Sequence, residues 1–176
     1  VKAHELAECK ASSLGEYLNN ILPMEQDEKI VYMLEPNGYK GYMLFAYENG
    51  KIAKIEMSAY ETKTFRRKLV NAYSNKAPLA KMLYISEDTD VVLIRDIDKA
   101  MLVNSELVPQ KQTKSSGGVQ IYTLKKNSKL TNMMYMTDFK SENIEYYRST
   151  KIPATGHFIN EQDKIDNDIP RQIGLF

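Results

Sequence analysis

The chain has 176 residues, 43% of them hydrophobic, which suits one domain with a buried core. Its 24 Lys and Arg stand against 23 Asp and Glu, a formal charge of +1, so net charge argues neither for nor against nucleic acid. The single cysteine, Cys9, excludes an intrachain disulfide and a cysteine-rich zinc site, and it fits a reducing cytoplasm; no apolar run is long enough for a membrane span or a signal peptide.

Taken in order, the first candidate element is SSLGEYLNNIL (12–22), whose apolar spacing is helical but is interrupted by Gly15. Short strands follow. KIVYMLE (29–35) reads as one, and PNGYKG (36–41) breaks the chain after it. GYMLFAYE and KIAKIEM flank Asn49-Gly50, the strongest short hairpin signal, because both residues tolerate the positive φ of a type I′ turn. In the second arm, alternation predicts Ala53, Ile55 and Met57 on an apolar face and Lys54 and Glu56 on a polar one. The cationic run TKTFRRK (62–68) comes next, followed by strands at 79–86, 90–95, 99–104, 119–125 and 132–137. Val1 in place of an initiator Met is what a fragment of a longer protein would show.

These strands repeat. KIAKI (51–55) lies over KAMLV (99–103) at a shift of 48, which sets Lys63 on Lys111 and Arg66 on Lys114. VNAYS (70–74) lies over VQIYT (119–123) at 49, MLYIS (82–86) over MMYMT (133–137) at 51, and IVYML (30–34) over MLYIS at 52. Tyr32, Tyr84 and Tyr135 thus share one position. A period near 50 with several strands per unit predicts an all-β array of propeller-like blades, each a four-stranded antiparallel sheet. About three to four blades fit the length. The expected division is a partial unit over 1–40, units over 41–89 and 90–137, and closing strands with a tail over 138–176.

No catalytic constellation is visible. His4 and His157 have no metal-ligand spacing, Cys9 has only Lys10 beside it, and neither a P-loop nor a dinucleotide fingerprint occurs. Twelve tyrosines fall largely at strand positions, where they serve packing. A hydrolase is therefore disfavoured. What remains is a repeated basic loop: Lys63, Arg66, Arg67 and Lys68 after one hairpin, and Lys111 and Lys114 after the next. Lys10 holds the comparable place in the partial unit, and Lys125 and Lys126 add charge to a stretch, 107–137, that contains no acidic residue. Cations recurring once per blade would form a curved positive track suited to a bent duplex backbone, with Ser115, Ser116 and the Gly117-Gly118 amides as neutral phosphate donors. The rival reading is a blade array that grips an acidic protein.

The units YMLFAYENGKIAKIEMSAYETKTFRRKLVNAYS and KAMLVNSELVPQKQTKSSGGVQIYTLKK resemble the C-terminal domain of the A subunit of bacterial DNA gyrase and topoisomerase IV, the type IIA topoisomerases, and HELAECKASSLGEYLNNILPMEQDEKIVYM is similar to a segment linking two blades in that family. The resemblance covers residues 1–137. It implies a β-pinwheel, a disc of blades that exchange strands, and binding of double-stranded DNA along the outer edge with bending or wrapping. It implies two partners: the ATPase subunit, together with the breakage-reunion region of the same polypeptide. The parent enzyme it implies uses ATP and Mg through other regions; the fragment itself needs no cofactor and does no catalysis. Gyrase A carries a box near QRRGGKG. Here TFRRKLV (64–70) keeps the two arginines without glycines and TKSSGG (113–118) the glycines with one cation, a departure that favours bending over full wrapping. The Asn49-Gly50 turn also becomes Ile97-Asp98 in the next unit, so that turn must take another form.

Overall fold

The computed structural model describes residues 5–35, 37–62, 69–96 and 98–169. It divides into two units, Val1–Leu34 with Thr62–Val70, and Glu35–Glu61 with Asn71–Phe176. In the first unit the described residues hold one short helix, α1 (Leu18–Ile21), and no strand. The helix expected over 12–22 is thus a single turn: Gly15 has a positive φ of 69°, and α1 lacks a side-chain N-cap. Residues 29–35, read as a strand from their apolar run, form no strand among the described residues, and Ile30, Val31 and Met33 are exposed.

In the second unit the strands are β1 (Tyr42–Tyr47), β2 (Lys51–Glu56), β3 (Leu79–Ile85), β4 (Asp90–Arg95), β5 (Lys99–Asn104), β6 (Gln110–Lys111), β7 (Val119–Gln120), β8 (Leu130–Tyr135) and β9 (His157–Phe158), followed by α2 (Glu161–Asp166). One sheet runs β3-β1-β2-β6, with β7 also on β2; the other runs β8-β4-β5-β9. The strand read at 119–125 is therefore only two residues long. The β1–β2 hairpin forms where Asn49-Gly50 predicted it, but only Gly50 has positive φ, 78°, and its N–H donates to the Tyr47 carbonyl at 2.9 Å. The loop is a three-residue turn ending in a left-handed glycine, in place of the expected type I′. At the β4–β5 turn Asp96 is left-handed, φ 52°, and Asp98, in the place of Gly50, is not, so among the described residues the second turn differs from the first.

The repeat holds at the level of register. Phe45 pairs with Ala53 and Met82, and 48 or 51 positions later Leu93 pairs with Met101 and Met133. Even the irregularity recurs: pairing slips between Ala46 and Tyr47 on β1 and between Ile94 and Arg95 on β4. Two such sheets are built among the described residues, against the expected three to four blades. Strands are exchanged between them: after β3 the chain makes the β4–β5 hairpin of the second sheet, returns to add β6 and β7 to the first, then goes back as β8.

The sheets pack through Leu44, Ala46 and Ile52 of the first and Val91, Leu93, Met101 and Val103 of the second, with Leu83, Ile85, Leu130 and Met133 completing the core. Each such side chain contributes about 1.5–3 kcal/mol when fully buried. β3 and β8 are the inner strands, joined by the Tyr135 hydroxyl donating to the Tyr84 carbonyl. The edges away from this seam are β6 with β7, and β9.

Lys54 corrects the alternation reading. It stands on the face of β2 that meets the second sheet and is 5% exposed. Both faces of β2 are covered, so the odd–even pattern there marks two buried sides and not one wet side. The ammonium is accommodated because Asp88 and the Ser105 carbonyl accept from it and the Tyr42 ring lies 4.5 Å away.

Candidate functional site

The cation-bearing loop after β5 lies on the outermost strand of the first sheet. Val108 is buried in the core and anchors the chain, which then runs along β2, with Gln110 opposite Lys54 and Lys111 opposite Ile55. It loops out through 112–118 and returns antiparallel, with Val119 opposite Ile52 and Gln120 opposite Lys51. Gly118 makes the re-entry possible. Its φ is 74°, and a Cβ there would overlap the Ile52 carbonyl. Ser116 shapes the loop, its hydroxyl accepting from the Gly118 N–H at 3.2 Å and its own N–H donating to Thr113 O at 3.0 Å. Gly118 thus sets how closely the loop hugs β2.

Lys111 and Lys114 are brought together on this loop, and Lys114 Nζ lies 5.7 Å from the centre of the Tyr60 ring. Burial pushes the Tyr60 hydroxyl well above the usual phenol range, and that hydroxyl donates to the Ala72 carbonyl at 2.8 Å, so Tyr60 is a fixed neutral platform. A third lysine approaches the same loop unannounced by the sequence. The Lys76 stem passes 4.0 Å from where a Cβ on Gly117 would stand. Lys76 lies 41 positions before Gly117, and only the return of the chain to the first sheet brings it against this loop. Among the described residues none of these three lysines is ion-paired.

Lys125 and Lys126 are exposed in a turn closed by the Ser128 N–H on Lys125 O, at the hairpin-tip end of the sheets and away from Lys111. The acid-free stretch meets acids there in space: Lys129 pairs with Glu48 at 2.7 Å, and its own N–H donates to Asp96. Lys10 is exposed in the first unit, its carbonyl accepting from Ser13. Lys63, Arg66, Arg67 and Lys68 lie outside the described residues. Among the described residues there is no group of three or more His, Cys, Asp or Glu that could hold a metal ion, and no helix is long and apolar enough to cross a membrane.

No protein-family profile matches the chain. The A subunit of DNA topoisomerase 4 from Staphylococcus aureus (strain MRSA252) is 22% identical over 146 residues, 81% of this chain and 18% of that protein. The Staphylococcus epidermidis counterpart is 25% identical over 97 residues, 53% of this chain and 12% of that one. The chain therefore spans less than a fifth of the curated relatives it matches. Among solved structures, the C-terminal domain of a DNA topoisomerase IV superposes with a TM-score of 0.64 at 23% identity, covering 75% of this chain and 42% of that one. The C-terminal domain of E. coli ParC gives 0.61 at 13% identity, with 85% and 68% covered, and that of a DNA gyrase A gives 0.58 at 16%, with 89% and 54%. The resemblance carried by the repeats is thus met in both sequence and fold: this chain is a β-pinwheel of the kind built by the C-terminal domains of the A subunits of DNA topoisomerase IV and DNA gyrase.

Proposed function

We propose that this chain binds and bends double-stranded DNA through its phosphate backbone, as a module of a type IIA topoisomerase A subunit. The observation that carries the reading is Lys111 on the edge strand β6 and Lys114 on the glycine-shaped loop that follows it, with Lys76 passing alongside Gly117, none of them ion-paired among the described residues. Ammonium groups without carboxylate partners neutralise phosphates at least desolvation cost, and the counterions released drive association whatever the base sequence. Lys10, Lys63, Arg66, Arg67, Lys68, Lys125 and Lys126 are further phosphate contacts in this reading. The similarity to the A subunit of DNA topoisomerase 4 supports it. Strand cleavage and rejoining, with their ATP and Mg, then belong to the breakage-reunion region and the ATPase subunit, the module's partners in the cytoplasm. The incomplete glycine-arginine box favours bending without full wrapping.

Ligase-mediated circularisation of short duplexes tests this. The chain should raise circle yield without a consistent topoisomer shift. Topoisomer shifts of one sign would instead assign wrapping. No DNA binding at low salt, together with tight binding to an acidic protein, would overturn the reading.

A further inference from the structure

The outer edges of the two sheets share a backbone plan and differ in what they carry. Gln110 lies beside Lys54 on β2, and 38 positions on Arg148 bridges to Leu102 on β5, the counterpart of Lys54. The return strands match at the same shift: Val119 and Gln120 on β2 correspond to His157 and Phe158 on β5. Gly118 corresponds to Gly156. Both have positive φ, and a Cβ on either would overlap a backbone carbonyl, of Ile52 or of Ala100. The two edges are also joined. The Thr123 N–H donates to the Ala154 carbonyl at 2.7 Å and the Ala154 N–H to the Ile121 carbonyl at 3.0 Å, so the chain leaving β7 is laid along the loop that precedes β9.

The side chains then diverge. Gln120 is tied into the fold, its amide donating to the Asn49 carbonyl at 2.9 Å and the Tyr122 carbonyl at 2.7 Å. Phe158 stands in its place and is 63% exposed. On the same two-residue strand His157 is exposed, and the half-exposed Tyr146 ring lies 5.0 Å from it. Two residues make too short a ladder to recruit another strand, so this edge presents rings and not backbone. Cations accompany them. Lys99 Nζ lies 4.3 Å from the centre of the Phe158 ring, and Lys151 is exposed on the loop before β9. Among the described residues neither lysine is ion-paired, whereas Glu145, beside Tyr146, is held by Arg148 at 2.7 Å and Asp98, beside Lys99, by Arg95 at 3.4 Å. An exposed phenyl ring beside unpaired ammonium groups fits a nucleic acid, which offers phosphates to the cations and base faces to the ring. An apolar protein surface would leave the ammonium groups unmatched.

We propose, resting on the DNA-binding reading above, that the outer edge of the second sheet meets the same duplex as the first, and that Phe158 enters a base step there and kinks it, with Lys99 and Lys151 on the flanking phosphates. Apolar wedges partly unstack a step and bend the duplex, and pyrimidine–purine steps yield most easily. Lysine contacts to phosphate set no register, so the chain slides until the wedge meets such a step.

The probe is a short duplex carrying 2-aminopurine at a single TA step, compared with one carrying it inside an unbroken A-tract. At saturation the chain should raise fluorescence at least about twofold on the first and leave the second within about 20%, and it should bind the first at least about fivefold tighter. Phe158→Ala should abolish the rise and the preference and keep the parental salt slope; Phe158 is exposed, so the fold tolerates the change. Phe158→Leu, a smaller wedge, should keep both in part. Lys111→Ala with Lys114→Ala should lower the slope and keep the rise at saturation. No rise with the parent chain, or a rise that survives Phe158→Ala, would overturn the wedge while the backbone contact stands. No binding of either duplex at low salt would overturn the DNA reading and the wedge with it.

Discussion

Lys111→Ala with Lys114→Ala is the sharpest test of the outer-edge contact. Each phosphate neutralised on B-DNA contributes ~0.9 to the slope of log affinity against log salt, so two contacts contribute ~1.8. At 0.1 M salt that corresponds to a loss of up to roughly 60-fold, shrinking toward nothing near 1 M. Lys114 already faces Tyr60, a contact worth about 0.5–1 kcal/mol that DNA must preserve or replace, so we expect a loss between about 10- and 60-fold. Neither substitution touches the fold: Lys111 pairs through its backbone, and neither cation holds a carboxylate among the described residues. The assay is fluorescence anisotropy with a short random-sequence duplex over a salt series. Lys164→Ala, which removes a cation already bound to Glu161 at 2.8 Å, is the control and should leave the slope unchanged. A double variant with the parental slope, or a control that loses as much, would refute the assignment.

Four further outcomes follow from the packing. Asp88→Ala strands the buried Lys54 ammonium and should cost about 2–4 kcal/mol in urea unfolding at pH 7, whereas Lys54→Met, which removes the charge and keeps the stem, should cost less than about 1 kcal/mol; equal costs would contradict the buried-pair account. Burial draws the Asp88 carboxyl up, but the Lys54 and Ser105 hydrogen bonds outweigh it and hold the group below the usual carboxylate range. Its stabilisation is therefore complete above the unfolded value of about 3.9 and is lost as pH falls through the lower folded value, a step that should vanish in Asp88→Ala. Gly118→Ala forces a side chain into the left-handed region against the Ile52 carbonyl and should cost about 3 kcal/mol or more by thermal unfolding, with a cost below about 1 kcal/mol arguing against the close approach. Tyr135→Phe removes the hydroxyl that joins the inner strands and should cost about 1 kcal/mol by the same measurement; no change would show that bond to be dispensable.

The sequence alone determined what depends on near neighbours along the chain. The β1–β2 hairpin, its echo 48 residues later and the drift to 51 at the third strand were all legible, because alternation and turn residues act over a few positions and the pairing registers follow them. A local reading failed at residues 29–35, an apolar run that forms no strand among the described residues. Only the tertiary structure decided the rest. Lys54 looks wet in a one-sided strand and is buried because a second sheet lies on that face. The fourth strands are two residues long and have no alternation to detect, so their equivalence rests on contacts with β2 and β5; Gly118 and Gly156, 38 positions apart, were the one available clue. Lys76 comes against the loop that carries Lys114, and Lys125 and Lys126 are parted from Lys111, because strand exchange carries the chain between sheets. Local pattern fixes which residues can face which way. The ladder that closes over tens of residues fixes what they meet there, and the candidate DNA contact is a product of that second step.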